Sequence, residues 1–195
     1  VVYESLKNYL YVFENKQIGE NINSFPNLNL INRSFQSCYL EKKDTDVYFV
    51  NLINNTDIDY SRYKFFYINY LISQNKFDEI KEIVNEIDTL SSSLLILQLK
   101  NWVDNTKFKK ITEIFSCKNE SDILSEFFFI IANLYSSQEQ YENSNLFLNI
   151  ANFLNPKFRF NTSLIIENNF GNENYKKTKV LLNRFNKKDE IYYWY

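Results

Sequence analysis

The residue types that most often carry out chemistry in proteins are scarce in this sequence. It contains no His, so the commonest general base and metal ligand is absent, and with it any Ser-His or Cys-His pair. Gly occurs only at Gly19 and Gly171, which cannot form a phosphate-binding loop or a dinucleotide fingerprint. The two cysteines, Cys38 and Cys117, are unclustered, specify neither a zinc site nor a disulfide framework, and leave the redox compartment open. We expect no metal site and no cofactor.

Carboxylates are the catalytic residue type that is present in number, with 24 Asp and Glu. Two of them facing each other across a cleft, roughly 5 to 9.5 Å apart, could hydrolyse a glycosidic bond. Close pairs such as Glu79 and Glu82, or Asp189 and Glu190, are however typical of solvated helix and loop faces. A carboxylate-dependent carbohydrate-active domain therefore stays an alternative, and the leading expectation is that the chain is not an enzyme.

The overall charge argues against nucleic-acid partners. The formal net charge is −2 and the isoelectric point is about 5.4, whereas a nucleic-acid or anionic-membrane binder needs a basic field. The longest basic stretch without an acid runs from Lys176 to Lys188 and is typical of a solvated helix face. No segment has the roughly 18 uninterrupted apolar residues of a membrane span. We expect neither nucleic-acid binding nor direct membrane insertion.

The composition points to an A/T-rich genome. The chain has 29 Asn but only 2 Ala, beside 15 Tyr and 18 Phe, and the residues in excess have A/T-rich codons. The aromatic residues are thus expected mainly in the core. The chain begins with Val1 and contains no Met, which predicts a processed, trimmed or partial chain. Its compartment stays open between the cytoplasm and a bacterial periplasm or cell envelope.

Apolar residues recur at three- and four-residue spacings, which predicts helices throughout. Because Gly and Pro are nearly absent, there is little turn chemistry for a sheet. Short polar breaks separate the helices and force neighbours to lie antiparallel. The predicted helices lie near 2–20, 29–41, 45–53, 60–73, 77–89, 92–103, 107–117, 122–136, 141–153, 159–170 and 174–185.

Four of the polar breaks end in an aromatic residue that opens the next helix. These residues are Phe77, Phe108, Tyr141 and Tyr175, and their separations are 31, 33 and 34 residues. Such spacing is typical of a repeated helix-turn-helix unit.

Residues 125–156 resemble a tetratricopeptide repeat. On the first helix the family has a large, an aliphatic, a small and an aromatic residue, and here these are Phe128, Ile131, Ala132 and Tyr135. On the second helix it has an aromatic, a small, a bulky and a small residue, and here these are Tyr141, Ser144, Leu148 and Ala151. A proline closes the unit, as Pro156 does here. Ala132 and Ala151 are the only alanines of the chain, and both fall where the family's helices cross closely. The string from Ala151 to Pro156, with Tyr192-Tyr193-Trp194, is also similar to an alphaproteobacterial tetratricopeptide family.

The resemblance implies an all-α solenoid of antiparallel helix-turn-helix repeats, coiled into a right-handed superhelix. We expect one continuous solenoid, with divergent or capping helices over 1–57 and a repeat array over 58–195. The units are placed at 61–91, 92–122, 123–156 and 157–187, followed by an aromatic tail. Outside 125–156 the units are eroded, because bulky residues replace the expected small ones.

In such a solenoid the first helices of the repeats line a concave groove that holds a peptide or helix. The family's spacing predicts that the partner-binding residues are Arg62, Phe65, Asn69, Lys100, Glu126, Phe129, Asn133 and Glu167, with Ile96, Phe160 and Ser163 beside them. Asn69 and Asn133 occupy the position where family members hold a ligand backbone through an amide. Phe65 and Phe129 stand where a carboxylate-clamping member has Lys, which implies no such clamp.

The sequence thus favours a non-enzymatic scaffold that binds a protein or peptide in this groove. A structural spacer or self-assembly module of a larger bacterial protein is the alternative, because the end of the chain, Ile191 to Tyr195, is too apolar to lie free. The oligomeric state is left open. The expectation that the chain binds a partner rests on the architecture alone, since no residue cluster specifies a ligand.

Overall fold

The computed structural model describes residues 2–20, 26–55 and 59–183, which form helices and no strand. The prediction of an all-α fold is confirmed for these residues. In chain order the helices are α1 (Val2–Asn15), α2 (Pro26–Tyr39), α3 (Thr45–Ile53), α4 (Tyr63–Ser73), α5 (Phe77–Asn85), α6 (Leu94–Asp104), α7 (Phe108–Ile114), α8 (Glu120–Ser136), α9 (Tyr141–Leu154), α10 (Asn161–Gly171) and α11 (Tyr175–Leu182). The predicted aromatic tail and the pair Asp189 and Glu190 lie outside the described residues.

Each predicted helical segment overlaps one of these helices, but several ends differ. α1 ends at Asn15 rather than near residue 20, because Lys16 has a φ of 53°, in the left-handed region where a right-handed helix cannot continue. α2 begins at Pro26, which the sequence placed in a loop. Proline fits the first helical position because its missing N–H would have no partner there.

The chain divides into two compact units, residues 1–123 and residues 124–195. Unit 1 contains α1 to α7 and the start of α8. Unit 2 contains the rest of α8 and α9 to α11.

In unit 1, α4 is the central helix. It contacts α3, α5, α6 and α7. Eight of its eleven residues are buried, and these include all five of its aromatic residues, Tyr63, Phe65, Phe66, Tyr67 and Tyr70. A helix that is apolar on all sides must be surrounded, because no face of it can be left in water at low cost.

The core of unit 1 is built from aromatic rings around Phe35 of α2. The Phe35 ring lies 5.1 Å from that of Phe66, 5.9 Å from that of Phe115, and 6.1 Å from those of Phe49 and Tyr63, measured between centroids. These are separations at which rings attract edge to face or at a tilt. The excess of Phe and Tyr is therefore used as core volume, as predicted.

Unit 2 has an aliphatic core cluster of Ala132, Leu148, Ile165, Ile166 and Leu181, and it also buries Phe127, Phe158 and Phe160. Ala132 and Ala151 are both fully buried. The Ser125 hydroxyl of α8 donates a hydrogen bond to the Ala151 carbonyl of α9 at 2.8 Å. Such a short side chain reaches the main chain of another helix only where the two helices lie close together. The hydrogen bond therefore places α8 and α9 close together at the fully buried Ala151; that a small residue is sterically required there stays a prediction.

The four predicted breaks share one turn geometry. In each, a residue with positive φ follows the helix, and the next residue donates its N–H to the carbonyl five positions earlier, as in a Schellman cap. The φ angles are 58° at Asn75, 54° at Thr106, 59° at Glu139 and 56° at Glu173. The hydrogen bonds run from Lys76 to Leu71 (3.0 Å), Lys107 to Trp102 (2.7 Å), Gln140 to Tyr135 (3.0 Å) and Asn174 to Asn169 (2.8 Å).

The aromatic residues that open the helices pack against a neighbouring turn. In unit 1, the rings of Phe77 and Phe108 lie 5.1 Å apart. In unit 2, the Tyr141 ring lies so close to Gly171 that a Cβ there would come within 2.9 Å of it. Gly171 is therefore used for close approach rather than for an unusual backbone conformation.

Candidate functional site

Asn69 was predicted to hold the backbone of a partner, but it holds the backbone of the chain itself. It is buried in unit 1, and its Nδ2 atom donates to the carbonyls of Ile111 at 3.1 Å and Phe115 at 2.8 Å. α7 ends at Ile114, so the Ile111 carbonyl is one of the last four, which have no partner within the helix. The Asn69 amide caps this helix end, and a partner has no access to it.

The other residues predicted for a partner in unit 1 also face inward or contact neighbours. Phe65 is fully buried in the core, as is Ile96. The guanidinium carbon of Arg62 lies 5.7 Å from the centroid of the Phe66 ring, a cation–π distance. The Lys100 ammonium donates to the Val84 carbonyl at 3.3 Å and lies 3.5 Å from the Asp104 carboxylate. These placements give the side chains structural roles inside unit 1.

In unit 2 the predicted residues divide between the core and the surface. Glu126 is buried, and Phe160 is buried as well. Phe129 is half-buried and packs against the aliphatic core. Asn133 on α8 and Glu167 on α10 are exposed, and Ser163, four residues before Glu167, is half-buried. We define the open face as Phe129, Asn133, Ser163 and Glu167, two residues one helical turn apart on each of α8 and α10.

A network of amides and hydroxyls joins α8, α9 and α10. The buried Asn168 of α10 donates to the Ser144 hydroxyl at 2.7 Å and to the Asn145 amide oxygen at 3.1 Å, both on α9. Its own amide oxygen accepts from the Ser136 hydroxyl of α8 at 2.6 Å. One side chain thus joins three helices, and burial makes each of these bonds costly to lose.

The sequence interpretation missed Asn168, because it attributed the Asn excess to codon usage. A local signal was present. The apolar residues Leu164 and Ile165 are followed, at the four-residue spacing of one helix face, by Asn168 and Asn169. Both amides are buried, and Asn169 donates back to the Ile165 carbonyl at 2.6 Å. A polar residue on the apolar face of a helix is expected to have specific partners.

Cys38 and Cys117 form a disulfide within unit 1, which the spacing of the cysteines did not predict. Beside it, the Tyr39 hydroxyl donates to the Glu120 carboxylate at 2.5 Å and accepts a hydrogen bond from the Lys16 ammonium. Burial, with the bond to Glu120, raises the pKa of Tyr39, and the bond to Tyr39 raises the pKa of Lys16. Tyr39 therefore stays protonated and Lys16 stays charged at neutral pH.

A second group of titratable side chains lies where α3, α4 and the start of α5 meet. The Asp46 carboxylate accepts from the Tyr67 hydroxyl at 3.3 Å and from the Lys76 ammonium at 2.7 Å. Burial and then the Asp46 charge raise the pKa of Tyr67 far above 10.0, while the hydrogen bond to Asp46 raises the pKa of Lys76. The pKa values of both groups thus move away from neutral pH, whereas a general acid or base needs a pKa near the pH at which it works.

Two further properties bear on the function. Over residues 2–20, 26–55 and 59–183, no three His, Cys, Asp or Glu side chains are grouped as a metal ion would require. Over the same ranges, no helix has the combination of length and apolar character needed to span a membrane.

Comparison of the chain with protein-family models, with curated proteins and with solved structures found no match.

Proposed function

We propose that the chain is a non-enzymatic interaction scaffold of tetratricopeptide type, and that the open face of unit 2 binds an extended segment of a partner protein. Successive helical hairpins with one turn geometry would place α8 and α10 side by side as first helices. The four like turns, together with the two alanines at the close crossing in unit 2, support this architecture.

The observation that carries the proposal is the contrast between two asparagines at equivalent repeat positions. The Asn69 amide is used to cap α7. The Asn133 amide is exposed, and within the described part of the chain it makes no side-chain hydrogen bond. An amide offers one donor group and one acceptor, which matches the alternating groups of an extended peptide backbone.

The neighbours of Asn133 favour a partner segment of mixed character. Phe129 offers a half-buried ring whose position is fixed by the core, so contact with an apolar side chain costs little ordering entropy. Glu167 is exposed on α10 and carries a negative charge in addition to its contact within the chain, which favours a basic residue in the partner. An apolar residue near a Lys or Arg is therefore the expected recognition pattern.

The test begins with peptides selected against the purified chain from an unbiased display library, and their affinities are then measured by fluorescence anisotropy. We expect Asn133→Ala to weaken binding about tenfold, because one hydrogen-bonding amide is worth roughly 1.4 kcal/mol in a desolvated interface. Asn149→Ala is the matched control, since Asn149 is exposed on α9. Equal affinities for Asn133→Ala and the unmodified chain would refute the assignment of the face.

Self-assembly is a second candidate, favoured by two apolar side chains on α9. Leu146 is 57% exposed and Phe153 is 85% exposed. Residues seven apart lie on the same side of a helix, so the two form an apolar strip. Analytical ultracentrifugation of the chain and of Phe153→Ser distinguishes the candidates: a dimer that Phe153→Ser dissociates supports self-assembly, and a concentration-independent monomer excludes it.

A further inference from the structure

The disulfide of unit 1 joins two segments that are far apart in the sequence. Cys38 lies near the end of α2 and Cys117 lies between α7 and α8, with a sequence separation of 79. Their Cα atoms are 5.8 Å apart, a distance at which a disulfide forms without movement of the backbone.

Noncovalent contacts hold the same two segments together on both sides of the bond. On the N-terminal side of the two cysteines, the Phe35 and Phe115 rings lie 5.9 Å apart. On their C-terminal side, Tyr39 donates a hydrogen bond to Glu120, and Lys118 forms an ion pair with Glu41. The packing of unit 1 therefore aligns the two sulfur atoms. The pairing is specified by the fold, although the sequence spacing did not reveal it.

Both cysteines are inaccessible in the folded chain, with Cys38 2% exposed and Cys117 7% exposed. Thiol–disulfide exchange needs a thiolate to reach a sulfur atom directly. Once α2 and the segment before α8 are packed, neither sulfur can be attacked. Formation and reduction of the bond must both take place while this part of unit 1 is open.

We infer that Cys38–Cys117 is a permanent structural disulfide, installed by thiol–disulfide exchange as the chain folds, and that the chain folds in an oxidising compartment. One cysteine thiolate attacks a disulfide-bearing oxidant and releases one thiol. The second cysteine thiolate then attacks the mixed disulfide and releases another, so that the oxidant takes up two electrons. A reducing compartment keeps such thiols reduced, and a redox sensor needs an accessible pair.

This inference does not rest on the proposed binding face, and thiol labelling in the cells that make the protein tests it. Cells are quenched in acid, the protein is denatured, and free thiols are alkylated with a maleimide that carries polyethylene glycol. We expect no gel shift without a reductant and two additions after reduction. Two additions without reduction would overturn the inference, and so would an oxidised fraction that varies with growth conditions.

Cys38→Ser is the matched control, because it leaves one thiol that must be labelled without reduction. Labelling is done under denaturing conditions, so the result does not depend on how well this variant folds.

A second measurement tests the role of burial. The purified chain is refolded with a reductant, freed of it, and exposed to glutathione disulfide with and without denaturant. We expect oxidation of the folded chain to be about 100-fold slower or more, because it must wait for unit 1 to open. Equal rates in the two conditions would overturn the claim that the bond forms only during folding.

Discussion

Unit 1 is packed around the Phe35 ring and its aromatic neighbours, whereas unit 2 has a cluster of buried aliphatic side chains and two fully buried alanines beside its own aromatic rings. In unit 1 the Phe35 ring contacts four others, and a disulfide ties α2 to the segment before α8. In unit 2 a serine reaches the main chain of the neighbouring helix at Ala151, and Asn168 joins three helices. Long-range covalent and aromatic contacts are thus prominent in unit 1, and short side chains that reach neighbouring helices are prominent in unit 2.

The two units show two ways in which a chain with so little Ala and Gly packs its helices against one another. Beside the fully buried Ala151, the Ser125 hydroxyl of α8 reaches the main chain of α9, so these two helices lie close together. In unit 1, where rings supply much of the core volume, a disulfide and the Asn69 amide join segments that are distant in the sequence. Asn69 and Asn133, which the repeat spacing predicts to be equivalent, also differ between the units, since Asn69 is enclosed in unit 1 and Asn133 stays at the surface of unit 2.

The largest expected effect is that of Phe35→Ala. Removing a ring that touches four others should lower the stability of unit 1 by about 3–5 kcal/mol. Phe153→Ala, at a position 85% exposed, should change stability by less than about 0.5 kcal/mol. Hydrogen exchange followed by mass spectrometry reports on each unit separately. A loss below about 1 kcal/mol for Phe35→Ala would contradict an aromatic core, and an equal loss in unit 2 would show that the units unfold together.

The opposite kind of change is expected to damage unit 2. Ala132→Leu adds volume at a fully buried position and should cost about 3 kcal/mol, because the crossing helices must move apart. The same side chain introduced at exposed Asn149 should cost less than about 0.5 kcal/mol. Urea unfolding monitored by circular dichroism measures both. If unit 2 accepts leucine at residue 132 without loss, the crossing is not a close one.

A smaller effect is expected at the cap of α7. Asn69→Ala leaves two buried carbonyls without a donor and should lower the stability of unit 1 by about 2 kcal/mol. Asn69→Asp keeps the shape but loses the donor, so it should be at least as destabilising. Asn133→Ala is the counterpart in unit 2 and should be nearly neutral. Should Asn69→Asp retain full stability, hydrogen bonding by this amide would have no energetic role.

The smallest expected effect is a gain in stability. Thr106 has a φ of 54°, a conformation that costs a β-branched residue more than it costs glycine. Thr106→Gly should therefore stabilise unit 1 by about 0.5–1 kcal/mol. This is the net gain, since the greater conformational freedom of glycine in the unfolded chain opposes it. Thr112→Gly, inside α7 and exposed, should destabilise by about 1 kcal/mol. Thermal unfolding should show a higher melting temperature for Thr106→Gly and a lower one for Thr112→Gly. Changes of the same sign in the two variants would contradict the assigned turn.

The features that were predictable from the sequence are local ones. Helix positions followed from apolar periodicity and from polar breaks of a few residues, and the role of Ala132 and Ala151 followed from their rarity. The disulfide and the Asn69 cap join residues that are 79 and up to 46 positions apart. Their partners depend on how α2, α4 and α7 pack, which no local pattern specifies.

The candidate site was predicted less completely for the same reason. Repeat spacing placed Asn69 and Asn133 at one type of position, but whether a neighbouring element covers that position depends on the tertiary structure. Phe65 and Glu126 were buried by the packing of their helices in the same way. Among the predicted residues Asn133 and Glu167 are exposed, whereas Arg62, Lys100, Phe129 and Ser163 are half-buried.

The central claim is that the open face of unit 2 binds an extended peptide, and the most direct measurement is a nuclear magnetic resonance titration of the labelled chain with a selected peptide. Saturable shifts of the Asn133 side-chain amide and of the main-chain amides of Phe129, Ser163 and Glu167 are the expected result. Shifts confined to unit 1 or to the exposed side of α9 would contradict the claim. So would the absence of any selected peptide with a dissociation constant below about 1 mM.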